Sequence, residues 1–343
     1  MATIKDISRK AAVSTASVSK VLNGNYDGVS ETTKDLILSV AKELKYRPNR
    51  FARGLVKKSS GIIGLIVPDI ANPYYASLSK GVEEAASQLG RNLILCNTSD
   101  DSQREYQYVN MLIEYNADAV ILTSMISYNP KSDAALRDYE VPFAALDRYA
   151  TSAPLSFLCN SQLGIFKATE YLIQELGHRS IAFIGGNLLN EQLEGSEQRR
   201  IGYQGALKAA DLPLNPALVK NGSYSIETGY SCGMELLESG ERFTAVVCAN
   251  DLIAIGVIKA LKKCGKRIPQ DVSVTGYDDI PLASVVEPNL TTMRQDAYSI
   301  GRRLCLACLS FEQETTSDRM VCHIEPELVL RDSTGPAPAS GHS

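Results

Sequence analysis

The sequence predicts an α/β protein: a small all-α helix-turn-helix head followed by two doubly wound parallel-sheet lobes. Three observations predict it. From residue 61, short apolar runs such as GIIGLIVPD, RNLILCN and ADAVILTS alternate with amphipathic stretches such as PYYASLSKGVEEAASQLG. Apolar strands followed by amphipathic helices mean parallel sheets covered on both faces. The alternation restarts after LSFLCNS, running through RSIAFIGG, TAVVCAND and DVSVTGYDD, so two lobes are expected. Before residue 46 the pattern is different: three short stretches with apolar residues at helical spacing.

The 343 residues leave room for two sizeable cores and a small extra module. Hydrophobic residues are 44% and charged residues 22%, which places the chain among ordinary globular proteins. No apolar run reaches eighteen residues, so no transmembrane helix is expected. MATIKDISRK lacks the apolar core of a secretory signal. The eight cysteines sit in apolar stretches such as RLCLACLSF; they read as small hydrophobes in a reducing cytoplasm. Charge is uneven. Residues 1–60 carry 12 Lys and Arg against 5 Asp and Glu, whereas the remainder carries 23 against 34. A basic head on an acidic body suggests that the head meets a polyanion.

In the head, Ile4, Ile7 and Ala11 predict a helix over 4–12. Ser14 predicts an N-cap, and Val13 with Val18 a hydrophobic staple, for a second helix over 15–22. Val18, Val21 and Leu22 then face inward, while Thr15, Ala16, Ser19 and Lys20 face outward. A third helix, capped by Ser30, is predicted over 31–45 with Leu36, Ile37, Val40, Ala41 and Leu44 as its apolar positions. Two short helices on a tight turn with a supporting third make a helix-turn-helix. In that motif the start of the second helix reaches base edges in the DNA major groove. Short Ser, Thr and Ala side chains let a helix backbone approach the bases, hydrogen-bond bases or phosphates, or touch a thymine methyl. The alternative is a small three-helix interaction domain with a weakly polar face.

The following YRPNRFARGLVKKSSG holds five basic side chains, Arg47, Arg50, Arg53, Lys57 and Lys58, and no acid. Pro48 is placed to start a short helix over 49–56, which Gly54 disfavours.

In doubly wound sheets, ligands bind beyond the C-terminal ends of the strands. Those positions hold Asp69, Asn72, Tyr74 and Tyr75; Asp147 and Arg148; Asn250 and Asp251; Asp278 and Asp279; and Gln295. Strand ends lead into loops, and loops are polar, so no single residue is decisive. Together they supply what a polyhydroxylated ligand needs. Carboxylates, amides and guanidinium bind adjacent hydroxyls, and tyrosine faces pack on a sugar ring. No metal site is expected: His178, His323 and His342 are scattered, and no Cys/His zinc spacing occurs. Cys305 and Cys308 form a CxxC inside an apolar helical run, which reads as core. No G-x-G-x-x-G, Walker or G-x-S-x-G motif is present. No cofactor is expected, and an enzyme acting on a sugar is the weaker alternative.

IKDISRKAAVSTASVSKVLNG followed by VSETTKDLILSVAKELKYRPNRFARGL resembles the head of the lactose/galactose repressor family of bacterial regulators. The resemblance covers nearly the whole chain, and the body resembles periplasmic sugar-binding proteins. It implies a cytoplasmic, sequence-specific DNA-binding repressor and not an enzyme. The partners are operator DNA and a small sugar-like effector, and the assembly is a homodimer, with a tetramer as the variant form. Alternatives within this reading are a purine corepressor or a phosphoprotein partner; a solute-binding protein is the outside rival.

The implied organisation is a head over 1–46, a hinge helix or linker over 47–60 and a core over 61–332. The implied N-lobe spans about 61–160 and 292–322, and the C-lobe about 161–291 and 323–332. A disordered tail is expected over 333–343. Implied DNA contacts are Thr3, Ser14, Thr15, Ala16, Ser17, Ser19, Lys20 and Asn23, then Asn49, Arg50 and Arg53, with Leu55 as a minor-groove wedge. Implied effector contacts are Asn72, Tyr74, Tyr75, Asp147, Arg148, Arg199, Asn250, Asp278 and Gln295, with Tyr224 as a further ring. The set is most similar to a ribose-binding pattern, and the lack of tryptophan removes the large stacking platform of hexose-binding relatives. The chain departs from the family at Ala12 (usually Gly), Ser17 (usually Thr), Lys20 (usually Arg) and Asn160-Ser161 (often Asp-Asn).

Overall fold

The computed structural model describes residues 2–46, 59–123, 129–148, 151–186, 194–310 and 319–338. The chain divides into two compact units, residues 1–60 and 61–343.

In the first unit, α1 (Ile4–Ala11), α2 (Thr15–Leu22) and α3 (Glu31–Glu43) surround one small core. Ile7, Val18, Val21, Ile37, Val40 and Ala41 fill it, with Val13 packed at its margin. Each helix begins on a hydroxyl cap: Thr3, Ser14 and Ser30 accept from the backbone N–H of Asp6, Ser17 and Thr33. Each cap satisfies a donor that the helix start leaves open. Ala12 ends α1 in the left-handed conformation, at φ 51° and ψ 40°. An L-residue with a Cβ pays for this backbone, so the departure from glycine costs strain in the turn. Leu36 departs from expectation. It is 44% exposed, because the inward face of α3 is already filled by Ile37, Val40 and Ala41. The linker residues 47–58 lie outside the described residues.

The second unit holds two sheets. One has the order β11-β5-β4-β3-β1-β2, built from β1 (Ile62–Val67), β2 (Asn92–Asn97), β3 (Ala119–Leu122), β4 (Phe143–Leu146), β5 (Leu155–Cys159) and β11 (Met320–Ile324). All its neighbours are parallel. The other has the order β12-β10-β9-β8-β6-β7, built from β6 (Ile181–Gly186), β7 (Val219–Gly222), β8 (Ala245–Cys248), β9 (Ser273–Asp278), β10 (Thr291–Arg294) and β12 (Glu327–Val329). Only β10–β12 is antiparallel. The helices between them are α4 (Pro73–Gln88), α5 (Ser102–Glu114), α6 (Pro130–Asp138), α7 (Ser161–Gln174), α8 (Glu194–Ala209), α9 (Ile226–Glu238), α10 (Asp251–Lys263) and α11 (Ala297–Ser310). The N-lobe sheet carries separate apolar clusters on its two faces, one with α4 and α11 and one with α5 and α6. Central strands such as β3 and β4 are buried at every position, as a sheet covered twice requires.

The chain crosses between lobes after Cys159, after Arg294 and after Ile324. The second and third crossings fall at the ends of β10 and β11. β10 first completes its parallel pairing with β9, Thr291 to Thr275 through Arg294 to Asp278, and β11 stays on β5 through Ile324. The tail is a further correction. Residues 333–338, expected to be disordered, are packed on the C-lobe. Ser333 is fully buried; its Oγ donates to Val274 O (2.6 Å) and accepts from Thr291 N (2.8 Å). Gly335 N donates to Ser273 Oγ at 3.1 Å, and Ala337 N donates to Leu176 O at 2.7 Å. His178, buried in the turn before β6, bonds Thr244 Oγ1 at 2.8 Å and reaches Ser273 Oγ and Gly335 O with its other nitrogen. Burial holds its pKa below the usual value. Hydrogen bonds between its backbone and hydroxyl groups and the C-lobe, not apolar composition, hold this segment.

α4 and α11 pack backbone to backbone. A Cβ on Gly81 would strike Tyr298 O, and one on Gly301 would strike Leu78 O. Gly301→Val is therefore expected to destabilise the core by about 1–3 kcal/mol, read as a lowered urea midpoint with an unchanged slope.

Candidate ligand cleft and nucleic-acid surface

The strand ends of both lobes converge on one cavity of about 230 Å³. The N-lobe contributes Pro68, Asp69, Asn72, Tyr74 and Tyr75 after β1, Asp100 after β2 and Asp147 after β4. The C-lobe contributes Arg199 from α8, Ser223, Tyr224 and Ser225 after β7, Asn250 after β8 and Asp278 at the end of β9. Gln295 joins them at the second crossing.

Local sequence explains the placement. Asn72 and Asn250 are the N-caps of α4 and α10, accepting from Tyr74 N (3.0 Å) and Ile253 N (2.9 Å). Each helix start is thus anchored at the cavity wall. Asp147 and Asp278 both take left-handed backbone, at φ 52° and 107°. Such outliers persist only where surrounding structure over-determines them, and they cluster at binding sites. Asp147 Oδ1 accepts from Cys159 N at 2.7 Å, which ties it across to β5.

Arg199 is the electrostatic centre. It is 4% exposed; its Nη1 donates to Ala249 O at 2.7 Å and its Nη2 lies 3.9 Å from Asp278 Oδ1. Its guanidinium stacks 4.4 Å from the Tyr277 ring centroid and 5.4 Å from that of Tyr224. Burial pushes the Asp278 carboxyl up to about 7; Arg199 opposes this and Asp147 adds to it. Burial likewise raises Asp147 to about 6, opposed by the Cys159 N–H and Arg199. Two buried carboxyls therefore share one cation. Donors remain open as well: Arg199 Nε and Gln295 Nε2 are buried with no hydrogen-bond partner among the described residues. Tyr74 Oη donates to Gln295 Oε1 at 3.2 Å, which fixes the amide. Tyr74 and Tyr75 meet edge to face at 5.2 Å, and the Tyr224 hydroxyl is 2.8 Å from Ser196 Oγ. The cavity wall thus combines carboxylate acceptors, unused donors and aromatic rings.

Nine of the ten residues expected at the effector are brought together here. Arg148 is the exception. Its Nη2 donates to Glu105 Oε1 at 3.0 Å, in a pair 1% and 0% exposed, and it does not line the cavity. The acid of α5 draws it behind the wall. Two strand-end acids outside the set also moved inward. Asp251 is fully buried, accepting from Ile280 N and Thr292 Oγ1. Asp279 pairs with Arg294 and Arg331. Sequence reasoning missed Asp100, Ser223 and Ser225, although the strand-end rule, extended to β2 and β7, reaches all three. At the first crossing, Asn160 caps α7 through Leu163 N at 3.0 Å, so the departure from Asp keeps a cap.

In the head, Thr15, Ala16 and Lys20 are exposed on α2, with Ser17 and Ser19 half-buried beside them. Ser14 Oγ accepts from Ser17 N at 3.0 Å and lies 2.9 Å from Ser17 Oγ. Lys20 Nζ reaches Asp27 O at 3.2 Å, and Asn23 reaches Ser19 Oγ at 3.3 Å. Thr3 caps α1 and bonds Asp6. Asn49, Arg50, Arg53 and Leu55 lie outside the described residues. Ser14→Ala is expected to cost the head about 1 kcal/mol. Amide hydrogen exchange over 15–22 in the full chain should speed up accordingly.

Comparison with known proteins adds to this geometry. Residues 3–49 match the family model described as bacterial regulatory proteins, lacI family. Residues 60–323 match the one described as periplasmic binding proteins and sugar binding domain of LacI family. The chain is 33% identical over 337 residues to a ribose operon repressor of Halalkalibacterium halodurans, covering 97% of each. It is 33% identical over 334 residues to the HTH-type transcriptional repressor PurR of Pasteurella multocida, covering 97% of this chain and 98% of that one. Among solved structures it is similar to the Lac repressor dimer bound to operator and the anti-inducer ONPF. The TM-score is 0.82 at 26% identity, over 97% of this chain and 99% of that one.

Proposed function

The chain belongs to the LacI family of bacterial regulatory proteins, which are DNA-binding transcriptional regulators and not enzymes, and from that premise we propose that a small, ribose-like sugar between its two lobes sets its affinity for operator DNA. The observation that carries the sugar reading is the grouping of Asp147 and Asp278 around Arg199, on the same cavity as the unpartnered Gln295 Nε2. Vicinal hydroxyls donate to the carboxylates and accept from the guanidinium and amide, while tyrosine faces cover the ring. The cavity lies below the roughly 300–1,000 Å³ of drug-sized sites, which favours a monosaccharide over a larger ligand. A purine would use the three tyrosine rings but leave the buried carboxyls short of donors.

In this account the homodimer presents two α2 helices to a roughly palindromic operator, in the cytoplasm where the chromosome lies. Lys20, Thr15, Ala16, Ser17 and Ser19 face the major groove. Arg50, Arg53 and Leu55, in the linker after the head, meet the minor groove, Leu55 as the wedge. Sugar binding closes the lobes and alters the pairing of the two hinges. Effector and operator are then reciprocally coupled, by about 1–3 kcal/mol.

The test is fluorescence anisotropy with a duplex selected from a random pool by the full chain. Saturating ribose should change the operator Kd by about 5–150-fold, and log Kd should rise steeply with log salt. An operator affinity unmoved by every sugar, or a flat salt response, would overturn the reading.

A further inference from the structure

We propose that Asp251 is a positioning residue for the cleft: without touching the effector, its buried carboxyl holds the Asp278 loop and the strand leading to Gln295 in the geometry that binds. The proposal rests on the sugar reading of the cleft. Asp251 does not line the cavity. It is fully buried at the start of α10, one residue after the cleft residue Asn250. Burial pushes its carboxyl up, and Asp278 adds to this. A buried acid is costly to keep unless it is hydrogen-bonded, and here each oxygen bonds a different part of the cleft wall.

Asp251 Oδ2 accepts from Ile280 N at 2.8 Å. That amide follows directly on Asp278 and Asp279, whose backbones stand at φ 107° and 54°. Such backbone at two consecutive L-residues is strained and persists only where neighbouring groups hold it. Asp251 Oδ1 accepts from Thr292 Oγ1 at 2.5 Å. Thr292 lies on β10, three residues before Gln295 and opposite Gly276 of β9. Gly276 leaves room for this bond, since a Cβ there would strike Asp251 Oδ1. One carboxyl thus joins the helix capped by Asn250, the loop that carries Asp278 and the strand that leads to Gln295.

The loop has a second anchor. Ile280 is buried and belongs to the N-lobe apolar cluster that also holds Tyr74 and Ala297. The residue after Asp278 and Asp279 is therefore held twice, by its side chain in one lobe and by its N–H in the other. Acceptors held in place before the ligand arrives spare part of the ordering cost of binding. Loss of the Asp251 tether should therefore lower effector affinity, separately from any loss of stability.

The experiment is isothermal titration of the full chain with ribose, arabinose, glucose and galactose, with urea unfolding and amide hydrogen exchange on the same variants. Asp251→Ala should weaken the sugar that binds wild type by about tenfold or more. Asp251→Asn should stay within about threefold of wild type, because its amide oxygen accepts from Ile280 N and its NH2 donates to Thr292 Oγ1. Thr292→Val keeps the shape, removes one tether and should cost about three- to tenfold; it carries the test if Asp251→Ala does not fold. Leu236→Ala, a core cavity toward the far end of α9, should lower the urea midpoint yet leave sugar affinity within about twofold. Exchange over 278–282 should speed up in Asp251→Ala and Thr292→Val and keep the wild-type rate in Asp251→Asn. Sugar affinity unchanged in Asp251→Ala and Thr292→Val, or lost as fully in Asp251→Asn as in Asp251→Ala, would refute the tether while leaving the sugar reading intact. A wild type that binds no sugar would overturn the sugar reading, and the exchange rates over 278–282 would then decide the tether alone.

Discussion

Arg199→Met is expected to abolish effector binding and to destabilise the core by about 3–5 kcal/mol, the usual cost of breaking a buried ionic cluster from one side. The guanidinium stacks on Tyr224 and Tyr277, donates to Ala249 O and stands 3.9 Å from Asp278. Methionine fills part of that volume and supplies no charge. Asp147 and Asp278 then face each other without compensation. Because protonation relieves them, the loss should be smaller at pH 5 than at pH 8. Urea unfolding at both pH values measures this. A loss independent of pH would mean that Arg199 acts only by packing.

The second large effect is a pH dependence of the unliganded protein. Asp278 and Asp147 titrate near 7 and near 6 in the folded chain, whereas an unfolded aspartate titrates near 3.9. Raised pKa values mean that the folded state binds these protons more tightly. The stability they contribute is fully present below about pH 4 and is lost as pH rises through 6 and 7. At roughly 1.4 kcal/mol per pKa unit, the change is on the order of several kcal/mol. A sugar reverses the preference, because hydroxyl donors stabilise the ionised carboxylates. Effector binding should therefore release protons at pH 6.5 and tighten toward pH 8. Titration calorimetry in buffers of different ionisation enthalpy reads the release directly. Proton uptake on binding would contradict the assignment of the carboxylates as acceptors.

The head and the sheet alternation were legible because they rest on local rules. Caps at Ser14 and Ser30 and the spacing of Ile7, Val18 and Ile37 need no knowledge of distant residues. The cleft was legible for a related reason: the strand ends of one parallel sheet share an edge, which groups Asn72 with Asp147 in one lobe and Asn250 with Asp278 in the other. What escaped depends on partners far away in sequence. Arg148 is captured by Glu105, 43 residues earlier. Composition made the tail look disordered, yet Ser333 and Gly335 find hydrogen bonds on β9 and near His178. Leu36 sits one position off the buried stripe of α3, and the apolar residue count alone did not reveal that the stripe was full.

The most direct test of the account is a thermal-shift comparison of the wild type and Asp278→Ala with pentoses, hexoses, their amino derivatives, sugar phosphates, nucleosides and purine bases. A ligand at about a hundred times its Kd should stabilise the fold by roughly 2.7 kcal/mol. A small sugar should produce such a shift, and Asp278→Ala should lose it. A shift produced only by a purine base, or a sugar shift that survives Asp278→Ala, would contradict the account.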